Sequence, residues 1–143
     1  MYNVSALYDF ANEQNIDVLE FPMPLNGSMS VMADGGQCCI GIDPTIKDGN
    51  AEERVHMAHE LGHCVTGSFY SIHTAIDSRQ RHENKADKWA IRQLISENEL
   101  DEAVAEGYTE VWELAERFGV TEQFMKKAIC LYVHGNVAEE LYF

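Results

Sequence analysis

The stretch His59-Glu60-Leu61-Gly62-His63 constrains this chain more than any other five residues in it. Two histidines four apart stand close enough to share a partner on a helix, where positions i and i+4 lie one above the other on one face. Residues 51–66 have what such a helix needs. Asn50 with Glu53 three residues on reads as a capping box, and Gly67 reads as the stop. Val55, Ala58, Leu61 and Val65 give the helix an apolar side. On that helix both imidazoles can reach one metal ion. Glu60 stands beside the first of them, placed to take a proton from a water there. The chemistry implied is metal-assisted hydrolysis.

A hydrolytic zinc keeps three protein ligands and one open position, so a third ligand is required. His56 is on the same helix but seven residues from His63, about 10.5 Å along the axis. It reads instead as a partly exposed surface residue. A longer signature ending in Gly-x-x-His is excluded, because Thr66 and Phe69 occupy those two positions. The following helix, expected from Arg79 to about Asn98, places Glu83 and Asp87 four apart on one face. Glu83 is a candidate third ligand. Asp87 can accept the far N–H of a ligand histidine and so fix its tautomer. His73 and His82 are rival third ligands. Tyr70, His73 and His82 are also candidates for contacting substrate or steadying an oxyanion. The small Ala86 and Ala90 let this helix approach the first one closely.

Around these two helices the pattern mixes helix with a little strand. Val4, Leu7, Tyr8 and Ala11 have helical spacing within residues 3–15. Residues 16–23 read as a short strand. Ser28–Met32 and Gln37–Ile42 read as a hairpin around Ala33-Asp34-Gly35-Gly36. The second hairpin strand is expected to be an exposed edge that takes an extended substrate as an added strand. Residues 68–78 read as a loop, and 101–106, 110–118 and 122–133 as short helices punctuated by Gly107 and Gly119.

Charge and cysteines narrow the partners. Ten Lys and Arg against 24 Asp and Glu give −14, which argues against a nucleic-acid face and against an anionic membrane surface. No run of apolar residues is long enough to span a bilayer, and the N-terminus lacks the basic and apolar regions of a secretory signal. Cys38, Cys39, Cys64 and Cys130 are sparse and include an adjacent pair. They read as small core residues of a reducing, cytoplasmic protein rather than a disulfide framework.

The residues around the two helices resemble a known family. The stretch ERVHMAHELGH is similar to the R-F-x-x-A-H-E-x-G-H of the ImmA/IrrE metallopeptidases, with Val55 where an aromatic residue is usual. Residues 83–90, ENKADKWA, resemble the family's E-x-x-A-D-x-W-A, and Leu94-Ile95 its following apolar pair. The resemblance covers residues 3–133. It implies an α+β, zincin-like fold: a short β-sheet packed on the H-E-x-x-H helix, plus a helix-turn-helix-like C-terminal part. It implies a zinc-dependent endopeptidase with one Zn2+ per chain, held by His59, His63 and Glu83, with Glu60 as general base. Family members on phages and mobile elements are anti-repressors that cleave a helix-turn-helix repressor. An acidic chain can be steered electrostatically toward such a basic partner. The competing expectation is a non-catalytic zinc-containing protein that binds a repressor or a toxin–antitoxin partner.

The expected division is a catalytic domain over 1–100 and a helical subdomain over 101–135. Residues 111–121 are similar to the first helix and turn of a helix-turn-helix, with Phe124-Met125-Lys126-Lys127 in the recognition position. The acidic Glu110, Glu113 and Glu116 argue against DNA readout, so this part is expected to pack on the catalytic domain. Residues 138–143, AEELYF, are similar to the remnant of a protease-cleavage tag.

Overall fold

A computed structural model describes residues 3–23, 27–47, 49–71, 73–135 and 137. The tag-like residues 138–143 lie outside the described residues. The chain folds as an α+β domain. Its order is α1 (Val4–Glu13), β1 (Asp17–Glu20), β2 (Ser28–Met32), β3 (Cys38–Ile42), a 3-10 turn at Pro44–Ile46, then α2 (Ala51–Thr66), α3 (Ile76–Leu94), α4 (Glu97–Ala105), α5 (Val111–Phe118) and α6 (Glu122–His134).

The sheet order is β1-β3-β2, with β1 parallel and β2 antiparallel to β3. β3 is therefore central, and the expectation that it is an exposed edge is corrected. Its composition gives the reason. Cys38-Cys39-Ile40-Gly41-Ile42 is a continuous apolar run, as befits a strand paired on both sides. Ser28 pairs with Ile42 and Met32 with Cys38, and the hairpin loop closes through the Ala33 N–H to the Gln37 carbonyl at 2.7 Å. Gly35 and Gly36 both adopt positive φ there, which side chains rarely tolerate.

α2 lies at the centre of the molecule and packs on α1, α3, β2 and β3. Met57, Ala58 and Leu61 are fully buried, joined by Ile40 and Ile42 from the sheet and by Ala90, Ile91 and Leu94 from α3. Truncating Leu61 to alanine in such a core costs about 2–5 kcal/mol. Val65, expected on the same apolar side, is instead exposed near the end of the helix. Gly62 sets how closely the two long helices meet. A Cβ added there would lie 2.5 Å from the Ala86 carbonyl oxygen. The absence of a side chain in α2 thus complements the small residues of α3.

Several local expectations are revised. Asn50 is the N-cap of α2 but its side chain makes no cap hydrogen bond. Glu53 instead accepts from the Gly49 N–H at 2.8 Å and from the Tyr8 hydroxyl at 2.6 Å. α3 starts three residues earlier than expected and stops at Leu94, because Ser96 caps a separate helix α4. Cys38 and Cys64 form a disulfide between β3 and α2, so two of the four cysteines are not free core residues. The packing brings their Cα atoms to 5.8 Å, a proximity that a sequence separation of 26 does not reveal.

α5 and α6 pack on each other, and α6 packs on α3. Arg54 of α2 reaches the C-terminal end of α5, donating to the carbonyls of Phe118 and Gly119. Of the residues in the recognition position, Phe124 and Met125 are buried and Lys127 turns inward toward α3.

Candidate metal centre

The last two turns of α2 and the middle of α3 meet in a cleft of about 240 Å³. His59, Glu60, His63 and Glu83 line it, together with Met29 and Ser30 of β2 and Ser68, Phe69 and Tyr70 from the loop after α2. The i,i+4 spacing brings the two Nε2 atoms to 3.2 Å. Gly62 and Ala86 let α3 close on this face. One Glu83 oxygen then lies 3.0 Å from His59 Nε2 and the other 3.1 Å from His63 Nε2. The ligand atoms of His59, Glu60 and His63 all fall within 4.8 Å of one another.

Each imidazole is anchored through its other nitrogen. His59 Nδ1 donates to Asp87 Oδ1 at 2.7 Å, and His63 Nδ1 donates to the Ser68 carbonyl at 2.5 Å. A carboxylate and a carbonyl only accept, so both Nδ1 atoms carry their protons. In the neutral rings, each Nε2 then presents a lone pair to the other and to the Glu83 carboxylate. Such a convergence needs a cation between its members. A tetrahedral ion at about 2.0–2.1 Å from its donors separates them by about 3.3 Å, close to the spacings found. The residues present therefore fit a zinc ion.

The titration behaviour has the same cause. Burial disfavours the His59 cation, but hydrogen bonds to Asp87 and Glu83 outweigh that and hold its pKa up at about 10. His63 is raised too, by Glu83 and the Ser68 carbonyl working against burial. Burial pushes the Glu83 carboxyl up, yet the hydrogen bonds from both histidines and from Tyr70 leave it well below the usual carboxylate range. Asp87 is also lowered despite its burial, by His59 and by Lys127.

Not all the residues singled out in the sequence come together here. Tyr70 does: its hydroxyl donates to Glu83 at 2.8 Å, and burial with that carboxylate raises its pKa to about 12. His82 stacks on the Tyr70 ring at 6.2 Å and stays out of the cleft lining. His73 is exposed in the preceding loop. It is Glu83, not His73 or His82, that stands against the two histidines.

Three residues at the centre were missed in the sequence. Ser68, in the loop after α2, meets His63 through its carbonyl. Lys127 donates to Asp87 Oδ2 at 3.1 Å from forty residues away. Ser28 donates to Glu60 Oε2 at 2.8 Å and lies 2.7 Å from His56 Nδ1. His56 is thus partly exposed, as expected, and is also hydrogen-bonded. The spacing of His56 and Glu60, again four apart, was the available signal.

Comparison with known proteins gives one result. A family model described as the IrrE N-terminal-like domain, a peptidase domain, matches residues 11–129. No curated protein and no solved structure matches the chain.

Proposed function

The chain belongs to the peptidase family of the IrrE N-terminal-like domain, and on that premise we propose that it is a zinc-dependent endopeptidase. The observation that carries this reading is the convergence of His59 Nε2, His63 Nε2 and the Glu83 carboxylate, with Glu60 lining the same cleft. In this reading His59, His63 and Glu83 hold one zinc ion and Glu60 is the general base. Zinc bound there would supply Lewis acidity, polarising a peptide carbonyl and making a water easier to deprotonate.

The chain's own residues do the rest. Asp87 and the Ser68 carbonyl hold the two imidazoles in the tautomer that turns Nε2 to the ion. Glu60 takes the proton of the attacking water and returns it to the leaving amine. Tyr70 lies at the rim of the cleft, and its hydroxyl, turned from Glu83, would be the group to meet the substrate carbonyl oxygen. β2 is the edge strand beside the cleft, and Met29 and Ser30 line it, so an extended substrate segment would pair there.

The family resemblance and the charge support one substrate class. A helix-turn-helix repressor of a phage or mobile element is basic, and a chain at −14 attracts it over several ångströms, more strongly at low salt. The protein would then act as an anti-repressor.

Replacing the base separates cutting from binding. Zinc-loaded Glu60→Gln should keep its metal and lose cleavage by about a thousandfold or more, read by mass spectrometry on a diverse peptide library and on basic helix-turn-helix proteins. Wild-type protein that holds zinc but cuts neither would instead be a zinc-containing binding protein.

A further inference from the structure

Glu60 of the motif takes its hydrogen-bond partner from the sheet. Ser28 stands at the start of β2, locked by its pairing with Ile42, and is buried. Its Oγ lies between Glu60 Oε2 at 2.8 Å and His56 Nδ1 at 2.7 Å. A hydroxyl has one proton to give. Toward a carboxylate it can only donate, so the bond to His56 must run the other way, from Nδ1–H to Oγ. The far side of the His56 ring faces Glu52, with Nε2 3.5 Å from its Oε2.

Space has been left for this arrangement. Gly27, just before Ser28, has φ +75, and a Cβ there would lie 2.9 Å from His56 Cε1. The imidazole occupies the place of a missing side chain. His56 and Glu60 are four apart on α2, so one face of the helix presents both to the same hydroxyl. His56 also lines a second cavity, of about 210 Å³, which is distinct from the cleft that Glu60 lines. The hydroxyl therefore links a residue lining one cavity to a residue lining the other.

We propose that Ser28 and His56 are positioning residues for the general base: His56 orients the Ser28 hydroxyl, and Ser28 fixes one carboxylate oxygen of Glu60 so that its remaining lone pairs serve the cleft. This deepens the peptidase reading and rests on it. A carboxylate tethered at one oxygen loses the rotamers that would turn it away from the attacking water. The contribution falls on the rate of the chemical step, not on metal or substrate binding.

Nitrogen-15 NMR of the histidine rings tests the wiring without any substrate. At about pH 8 His56 should carry a proton on Nδ1. Ser28→Ala should release it to the Nε2–H form common in water. Kinetics test the consequence on the same peptide library. Zinc-loaded Ser28→Ala should lose about 10- to 100-fold in kcat, with KM and zinc affinity unchanged, and Ser28→Thr should recover most of that loss. A wild-type His56 bare at Nδ1 overturns the proposal, because the hydroxyl would then point away from Glu60. So does a Ser28→Ala enzyme of full kcat in an assay where Glu60→Gln is dead; the peptidase reading would survive that result. Full cleavage by Glu60→Gln sinks the peptidase reading instead, while the ring proton still reports whether the Ser28 wiring exists.

Discussion

The two faces of α2 that meet at the cleft are supported in different ways. Toward α3, support runs through charge: Lys127, Asp87 and His59 form a chain of alternating sign, with the buried Asp87 at its middle. Toward β2, support runs through the neutral hydroxyl of Ser28. The charged side aligns the residues assigned to the metal, and the hydroxyl side aligns the residue assigned to the base. A buried charge left without its partner costs far more than a lost neutral hydrogen bond. Failures on the α3 side should therefore appear as lost metal, and failures on the β2 side as lost rate.

Acid should produce the largest effect, and only on the α3 side. The metal-free site holds a proton on His59 up to about pH 10. Zinc must displace that proton, so affinity falls as pH falls, by about tenfold per unit for each proton displaced. Competition with a chelator at about pH 8 and pH 6 checks this, and an affinity flat with pH would break the assignment. Stability of the metal-free protein should run the opposite way. A folded pKa raised from 6.5 to about 10 gives stability that is complete below about 6.5 and lost as pH rises through 10.

Next in size is Asp87→Ala. It frees the His59 ring and strands Lys127, and should weaken zinc by about 10- to 100-fold in the same competition. Lys127→Met removes only the outer charge, so a loss of about two- to fivefold is expected. Equal losses in the two variants would mean that the chain acts as one unit rather than in layers.

Much of this was legible in the sequence because it is local. The i,i+4 rule brings together His59 with His63 and Glu83 with Asp87, and the small Ala86 and Ala90 signal the close helix approach. The parts that were not legible are long-range. Ser28 reaches Glu60 only through the register of β2 on β3, and the position of β3 depends on β1 pairing along its other side. Lys127 meets Asp87 because α6 packs on α3. Cys38 and Cys64 meet because β3 lies against α2. The apolar run at 38–42 carries the sign of a central strand, but the Gly-rich turn at 33–36 is equally compatible with an exposed edge.

X-ray absorption at the zinc edge tests the central claim most directly. The zinc-loaded protein should show only nitrogen and oxygen neighbours at about 2.0–2.1 Å, with multiple scattering from two imidazoles, and Glu83→Ala should lose one oxygen neighbour or the metal itself. A sulfur neighbour at about 2.3 Å, or a third imidazole, would contradict the assignment of His59, His63 and Glu83.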